Sequence, residues 1–214
     1  MVWSPELAYA IGLIATDGTL SRDGRHIGLT SKDIDQLDTF LACVGRPEVP
    51  ISRKKGGFRS NITHVQFSDI TLYDFCLAIG LTPNKTKTIG ELAIPDEYFF
   101  DFLRGHHDGD GCFYSYFDPR WKSSFMFYLT FISASSTHMD WIRWNVERLV
   151  GIRGHMTTSA RSCITQLKYA KADSLKLLGR MYPQAGVPHL KRKRLKIEEA
   201  LRIVGESLPR LVET

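Results

Sequence analysis

The spacing of apolar residues predicts the same series of elements twice along the chain. In the first half, residues 5–17 carry apolar side chains at helical intervals and end at Gly18, a residue type that commonly stops helices. The elements that follow are a hairpin over 19–30 that turns at Asp23-Gly24, an amphipathic helix over 31–45, a hairpin over 49–69 and a helix over 71–81.

The second half repeats this order with longer segments. A helix over 95–109 ends near Asp110-Gly111, and the later elements are strands over 112–119 and 124–134, a helix over 136–151, a hairpin over 154–170 and helices over 171–182 and 190–204. We therefore expect an α/β protein of the α+β type, with two pseudo-symmetric αββαββα repeats. Each repeat would be an antiparallel sheet with one face on helices and the other towards solvent.

The lengths of the two repeats predict domain boundaries and one insertion. We expect a first repeat over residues 1–90, a connector over 91–97 and a second repeat over 98–214. The glycine that closes the next helix, Gly45, lies 28 residues after Asp17, whereas Gly151 lies 41 residues after Asp110. We assign the 13 additional residues to the first hairpin of the second repeat.

Small residues recur every four positions in the first helix of each repeat. Ala8, Gly12 and Thr16 form one row, and Gly105 and Gly109 form the other. Residues four apart share one face of a helix, and small side chains on that face let two backbones approach closely. We therefore expect these two helices to pack against each other, with their last turns meeting at one end.

Each of these helices ends on an aspartate, Asp17 in the first repeat and Asp110 in the second. The carboxyl end of a helix carries partial negative charge, so an acidic side chain there is unfavourable by about 0.3–1 kcal/mol, and two neighbouring carboxylates repel each other. One interpretation is that each aspartate merely caps a turn. A divalent cation between them explains the pair better, and oxygen ligands without nearby cysteine favour Mg²⁺.

Composition argues against several classes of protein. The 214 residues are 43% hydrophobic and 24% charged, which is enough for a folded core, and the apolar runs are too short to span a membrane. The four cysteines are scattered without a CxxC pair, which argues against a zinc ribbon or a redox pair. The first residues lack the features of a signal peptide. We expect an intracellular protein, in the cytoplasm of a prokaryotic host or in an organelle, that is not secreted.

The formal net charge of +5 arises in the second half of the chain. Residues 1–95 contain ten basic and ten acidic residues, so their net charge is zero. A mildly basic balance is compatible with a nucleic-acid partner without establishing one.

The two helix ends carry a pattern that resembles the LAGLIDADG motif of the homing endonucleases. The first segment is AIGLIATDG at residues 10–18, and the second is LRGHHDGDG at 103–111. The resemblance covers nearly the whole chain, because the order of elements after each motif also fits, and two motifs in one chain are typical of the single-chain members. His106 and His107 replace the usual apolar pair. We expect them to be hydrogen-bonded helix residues at the repeat interface rather than metal ligands.

The resemblance implies a role for particular residues. The family's metal-binding acid falls on Asp17 and Asp110, and the neighbouring Thr16 and Gly109 are assigned to the same metal site. Mg²⁺ there would activate water and stabilise the leaving oxygens, with Mn²⁺ substituting and Ca²⁺ binding without cleavage.

The family also places a basic residue beyond the last helix of each repeat. The candidates are Lys85 or Lys87 in the first repeat and Lys191 or Lys193 in the second, and we assign Lys85 and Lys191 as catalytic.

The resemblance further implies that the two sheets form a saddle on double-stranded DNA. Polar residues at the end of the second strand, Ser31 and Ser135, are expected to order water. The segment SRKKGGFRS holds four basic residues and no acid, and is interpreted as a phosphate-contacting hairpin tip rather than a merely solvated one. The predicted DNA-contact set is Arg22, Arg25, His26, Ser31, Lys32, Arg53, Lys54, Lys55, Arg59, Tyr114, Tyr116, Arg120, Lys122, Ser135, Arg161, Gln166 and Lys168.

Together these features predict a Mg²⁺-dependent, site-specific DNA endonuclease. It would act as a monomer and hydrolyse one phosphodiester per strand of a long, asymmetric target. The chain begins with Met and ends LVET, without the ends of a self-splicing intein, so we expect a free-standing, intron-encoded protein. One alternative is a non-cleaving nucleic-acid-binding protein of the same fold, such as an intron RNA maturase or a regulator. A purely structural domain would leave the paired acids unexplained.

Overall fold

The computed structural model describes residues 1–53, 63–121, 123–159 and 163–209, and it contains both predicted repeats. The first comprises α1 (Pro5–Thr16), β1 (Gly18–Leu20), β2 (His26–Ser31), α2 (Ile34–Cys43), β3 (Ser52–Arg53), β4 (Thr63–Ser68) and α3 (Ile70–Ala78). The second comprises α4 (Phe99–Asp110), β5 (Cys112–Phe117), β6 (Phe125–Ser133), α5 (Ser136–Val150), β7 (His155–Thr158), β8 (Thr165–Ala170), α6 (Lys171–Met181) and α7 (Lys191–Ile203). The α+β class and the αββαββα order are confirmed, with α7 added after the second repeat.

Each repeat forms a four-stranded antiparallel sheet with the same topology. The strand order is β1-β2-β4-β3 in the first sheet and β5-β6-β8-β7 in the second. The register is also the same, since Ser31 pairs with Thr63 at one end of the central ladder and Ser133 pairs with Thr165 at the corresponding place. Residues from Ser31 into the next helix therefore have counterparts 102 positions later, which is the interval from 31 to 133.

The additional residues of the second repeat lie in two places, which corrects their assignment to the hairpin alone. The first hairpin gains nine residues, since Ser31 lies 14 positions after Asp17 and Ser133 lies 23 after Asp110. The other four lengthen the next helix. It closes at Gly151, 18 positions after Ser133, where the first repeat needs 14.

Helices α1 and α4 pack against each other along their small residues, as predicted. A Cβ atom on Gly12 would lie 2.2 Å from the carbonyl oxygen of Phe102, and one on Gly105 would lie 2.0 Å from that of Tyr9. Because no side chain fits into such gaps, the two backbones touch through these glycines.

One face of each sheet is buried under helices, and the other is free of them. On the central strands the fully buried side chains alternate with more exposed ones, as expected for a sheet covered on one side. The buried positions include Ile27, Leu29 and Val65 in the first sheet and Phe127, Leu129 and Leu167 in the second.

The region between the two repeats contains little regular structure. Two short 3₁₀ turns lie there, Lys85–Lys87 and Asp96–Tyr98. The domain boundaries at residues 90 and 98 stay a prediction. Among the residues placed by the structure, no helix is long and apolar enough to cross a membrane.

Candidate functional site

The carboxyl ends of α1 and α4 meet at one edge of the helix pair. Asp17 is the residue that caps α1, and its backbone N–H donates to Leu13 at 3.0 Å. Asp110 is the last residue of α4. A Cβ atom on Gly109 would lie 1.9 Å from Thr16 Oγ1 and 3.3 Å from Asp17 Oδ2, so the end of α4 lies directly on the end of α1. The small-residue rows thus bring the two aspartates to one place.

The two carboxylates lie in an unfavourable environment. Burial and, after it, the negative charge of Asp110 raise the pKa of Asp17 to about 6, although Lys193 and Lys85 act in the opposite direction. Burial likewise raises the pKa of Asp110, opposed by the same two lysines. Like-charge repulsion between acids at neighbouring helix ends is relieved by a proton or by a cation.

Two buried lysines hold the ends of these helices in equivalent ways. Lys85 donates to the carbonyl oxygen of Gly18, and Lys193 donates to Gly111, the counterpart of Gly18, at 2.7 Å. Lys193 also donates to His107 at 2.6 Å and to Gly109 at 2.9 Å. Burial lowers the pKa of both ammonium groups, that of Lys85 to about 8. A cation at these carbonyls satisfies acceptors that helix ends otherwise leave without a donor.

The second basic residue of the site is Lys193, which corrects the assignment to Lys191. Lys191 opens α7 and is exposed, and it lines a separate cavity of about 390 Å³ that also contains Glu6 and His189. Residues two apart on a helix point in nearly opposite directions, so only one of the two can face the helix ends. In the first repeat Lys85 occupies the site, and the alternative Lys87 is exposed.

The donor atoms at the helix ends fit a hard divalent cation. Asp17 and Asp110 offer carboxylate oxygens, and Gly109 offers a carbonyl oxygen that already accepts one hydrogen bond from Lys193. The Thr16 hydroxyl donates its hydrogen to the carbonyl oxygen of Leu13 at 3.0 Å, so the lone pairs of the hydroxyl oxygen are free to bind a cation. In the described ranges no three side chains of His, Cys, Asp or Glu cluster as a metal site. A cation here would complete its shell with carbonyls and water, as Mg²⁺ commonly does.

A cavity of about 290 Å³ opens beside Asp17. Its floor is a chain of buried polar groups: Ser31 Oγ donates to Gln36 Oε1 at 2.6 Å, and Gln36 Nε2 donates to the Asp108 carbonyl oxygen at 3.1 Å. Lys32 and Arg192 stand at its rim, both exposed. Ser31 and Lys32 belong to the predicted DNA-contact set, whereas no role is predicted from the sequence for Gln36, Asp108 as a cavity residue, or Arg192.

Asp108 connects the second motif to α7. Its Oδ2 atom accepts from the hydroxyl of Tyr9 at 2.9 Å and from the backbone N–H of Leu190 at 2.7 Å. Leu190 immediately precedes α7, so this carboxylate fixes the start of the helix that carries Lys193 and Arg192. Its motif counterpart, Ala15, has no such group. This role depends on a contact across 82 residues, which local spacing does not reveal.

The hydroxyl that corresponds to Ser31 is that of Ser133, not Ser135. Ser31 Oγ accepts from the N–H of Asp33 at 3.1 Å, and Ser133 Oγ accepts from the N–H of Ser135 at the same distance. Ser135 instead occupies the N-cap of α5, accepts from the N–H of His138 and donates to Ile89 at 2.5 Å. Ser135 is buried, so its predicted contact with DNA is not supported by its position.

In the second sheet, four of the predicted DNA-contact residues lie on the free face. Gln166 and Lys168 alternate with buried residues of β8, Tyr114 follows the buried Phe113 of β5, and Tyr116 is two positions further on the same face of that strand. The ring of Tyr128 on the adjacent strand stacks on Tyr114 at 5.1 Å and on Tyr116 at 6.4 Å between ring centroids.

Other members of the predicted set are engaged within the protein or lie at the edge of a sheet. Arg120 forms a fork on Asp118 at 3.1 and 2.9 Å. His26 pairs with Asp23 at the turn of the first hairpin.

Three further arginines of the set lie at the margins of the first sheet. Arg25 is exposed, with Nε 4.0 Å from Asp23. Arg22 lies beside Asn84, and Arg53, at the sheet edge, pairs with buried Thr63. Lys54, Lys55, Arg59, Lys122 and Arg161 lie outside the described residues.

Comparison with known proteins finds likeness in structure rather than in sequence. No family model matches the chain, and no curated protein matches it. Full-length DUF199/WhiA from T. maritima matches with a TM-score of 0.60 and 17% identity over 96% of this chain and 62% of that chain. I-SmaMI bound to uncleavable DNA matches with a TM-score of 0.60 and 13% identity, over 95% and 93% of the two chains. The fold is that of the LAGLIDADG proteins.

A second homing endonuclease, I-DmoI in complex with DNA and manganese, has a TM-score of 0.56 and 15% identity, covering 83% of this chain and 96% of that one. At these identities the likeness establishes the LAGLIDADG fold alone. The chain spans less than two thirds of the full-length WhiA chain. The LAGLIDADG fold is thus common to proteins described as endonucleases and to one whose name describes no nuclease.

Proposed function

We propose that this protein is a metal-dependent, site-specific DNA endonuclease that cuts one phosphodiester in each strand. The observation that carries the proposal is the convergence of Asp17 and Asp110 from equivalent helix ends, each beside a buried lysine. Folding does not require acids at these positions, because burial raises the pKa of both carboxyl groups and the charge of Asp110 adds to the rise at Asp17.

The side chains of the site suit phosphodiester hydrolysis. A divalent cation, when bound, would supply activated water and neutralise charge that develops on the phosphate. Asp17 and Asp110 would hold this cation through their carboxylate oxygens, because each is fixed at a helix terminus. Lys85 and Lys193 would place positive charge beside the phosphate. With a pKa near 8, Lys85 is mostly protonated at pH 7 and holds a proton for a departing oxygen.

Duplex DNA is the substrate that the fold favours. The structures of I-SmaMI and I-DmoI are both complexes with DNA, and the same two sheets exist in this chain. Because both repeats belong to one chain, a monomer would suffice. The free faces of the two sheets carry different side chains, so a long target with unlike half-sites is expected.

The test is a cleavage selection from a duplex library, run in parallel with Mg²⁺ and with Ca²⁺, followed by sequencing of the broken ends. We expect one long site, cut with Mg²⁺ and bound but not cut with Ca²⁺. Asp17→Asn and Asp110→Asn should abolish double-strand cleavage and leave binding largely intact. Asp140→Asn, an exposed acid on α5, is the matched control. Full cleavage by the double variant would contradict the proposed site.

A non-cleaving nucleic-acid-binding protein is the second candidate, since WhiA matches over 96% of this chain and its name describes no nuclease. Such a protein would bind intron RNA or duplex DNA in a salt-sensitive manner and cut neither with any ion. Binding without cleavage by the wild type would therefore favour this candidate over the endonuclease.

A further inference from the structure

The cavity beside Asp17 has two exposed cations at its rim. Asp17 lines the cavity together with the buried Ser31, Gln36 and Asp108, while the cationic groups of Lys32 and Arg192 are exposed. Lys32 belongs to the first repeat, and Arg192 reaches the same rim from α7 of the second. The pocket is therefore assembled from both repeats, beside an acid of the proposed catalytic pair.

Asp33 holds Arg192 at this rim. Arg192 Nε donates to the two Asp33 oxygens at 2.9 and 2.8 Å, and the Arg192 side chain stays 61% exposed. Asp33 occupies the N-cap position of α2, yet its side chain makes no capping hydrogen bond. The carboxylate is thus turned towards Arg192 and away from the helix that it precedes. In the described part of the chain, Nη1 and Nη2 of Arg192 have no acceptor, so the forked end of the guanidinium is available.

The second repeat lacks the corresponding charges. Lys32 corresponds to Ala134 and Asp33 to Ser135, by the interval of 102 residues. Ser135 caps its helix in the ordinary way, accepting from the N–H of His138. Lys85 and Lys193 bind equivalent carbonyls, and the residue before Lys193 is Arg192, whereas the residue before Lys85 is the uncharged Asn84. The cationic rim is a feature of the Asp17 side alone at these aligned positions.

We propose that Arg192 and Lys32 bind one backbone phosphate of a nucleic acid beside Asp17, with Asp33 holding the guanidinium in place until the phosphate arrives. The free Nη atoms of an arginine match two oxygens of one phosphate, and a neighbouring lysine adds charge without demanding geometry. The proposal rests on the proposed function only in taking a nucleic acid as the ligand. It does not depend on cleavage, and a phosphate of DNA and a phosphate of RNA would be bound in the same way.

The asymmetry has a consequence for the reaction, if the endonuclease proposal holds. A phosphate is clamped by Arg192 and Lys32 on the Asp17 side, whereas the aligned positions on the other side hold Asn84, with Arg22 beside it, and Ala134. The two strands should therefore be cut at unequal rates in the wild type, with nicked duplex as an intermediate. Arg192→Ala should reduce this inequality.

The decisive measurement is binding to a random-sequence 30-base-pair duplex at several salt concentrations, which does not depend on cleavage. For Arg192→Ala and Lys32→Ala we expect affinity reduced roughly tenfold and the slope of log affinity against log salt reduced by about 0.9 each. Arg202→Ala is the matched control, since Arg202 is exposed at the far end of the same helix. Equal slopes for Arg192→Ala and Arg202→Ala would overturn the proposal.

A double-variant cycle tests the role of Asp33. Asp33→Asn should tighten binding several-fold in the wild-type background, because the negative charge that offsets Arg192 and repels the phosphate is lost. The gain should be clearly smaller in the Arg192→Ala background, since no arginine charge is then left to be offset. The same gain in both backgrounds would show that Asp33 acts only through its own charge. Failure of cleavage with this pattern intact would refute the nuclease and leave the phosphate site standing.

Discussion

In the first repeat the side chains behind the helix ends that carry Asp17 and Asp110 are Leu13, Ile14 and Gln36, whereas their counterparts in the second are His106, His107 and His138. All six are buried. The residues that position the backbone do not diverge in this way: Gly12 corresponds to Gly105, and Lys85 to Lys193. Contacts between backbones tolerate no change in shape, while the layer behind them accepts any uncharged side chain of similar size.

The histidines of the second repeat differ from expectation in their hydrogen bonding. They lie at the interface of the repeats, but His106 Nδ1 and both ring nitrogens of His107 make no hydrogen bond in the described residues, and His107 Nδ1 lies 3.8 Å from Asp108 Oδ1. His138 donates from Nδ1 to Gly90 at 2.7 Å, and its Nε2 has none. Burial lowers the pKa of all three, so they are neutral core residues at pH 7.

The largest effect should come from breaking the backbone contact that the repeats share. Gly105→Ala places a Cβ atom 2.0 Å from the Tyr9 carbonyl oxygen, and neither backbone can move without separating α1 from α4. We expect a loss of at least about 3 kcal/mol in the free energy of unfolding, or no folded protein.

The control for this variant is Gly179→Ala in α6, where an added Cβ meets nothing within 4 Å. Replacing a helical glycine by alanine there should leave stability unchanged or raise it by up to about 1 kcal/mol. Urea unfolding of the two variants makes the comparison, and equal stabilities would show that the helices do not touch as described.

A smaller difference in the free energy of unfolding should distinguish variants of the two buried lysines. Lys193→Met leaves three carbonyl oxygens without their donor, those of His107, Gly109 and Gly111, whereas Lys85→Met deprives Gly18 alone. With roughly 1–3 kcal/mol for a buried group left without a partner, and water able to reach part of the site, Lys193→Met should cost about 3 kcal/mol and Lys85→Met about 1.

Urea unfolding at pH 7 in the absence of divalent ions measures both costs. Equal losses would mean that charge near the two aspartates matters more than the count of hydrogen bonds.

Features that depend on residues close together in sequence could be predicted from local sequence patterns. Helical spacing and capping glycines predicted the elements of both repeats, and the spacing of Gly12, Gly105 and Gly109 predicted the contact between α1 and α4. The order of elements also predicted matching sheets, because hairpins fix antiparallel neighbours.

The remaining features depend on contacts that are distant in sequence. Lys191 and Lys193 are equivalent in composition, and only the orientation of α7, fixed by Asp108, places Lys193 at the helix ends. Position after a strand pairs Ser135 with Ser31, but the strand register makes Ser133 the counterpart. The N-caps of the following helices, Asp33 and Ser135, correspond in the same register.

The smallest effect concerns pH and sharpens the comparison of Gln36 with His138. Burial lowers the pKa of His138 to about 4, whereas an unfolded histidine titrates near 6.5. Below pH 6.5 the unfolded state therefore binds a proton that the folded state does not, and stability should fall with decreasing pH. The loss is about 1 kcal/mol per pH unit for this group between pH 6 and 4.

Asp17 opposes this trend, because its raised pKa makes the folded state bind the extra proton between about pH 6 and 4. His138→Gln, which installs the side chain of the first repeat, removes the group that takes up a proton on unfolding. The free energy of unfolding should therefore fall less steeply as the pH is lowered. His155→Gln changes an exposed histidine and should leave the curve unaltered. Urea unfolding at pH 7.5, 6 and 5 compares the three proteins. If His138→Gln and His155→Gln give the same curve, His138 is protonated in the folded state, and the pocket around His106, Trp141 and Gly90 must admit a charge that its burial argues against.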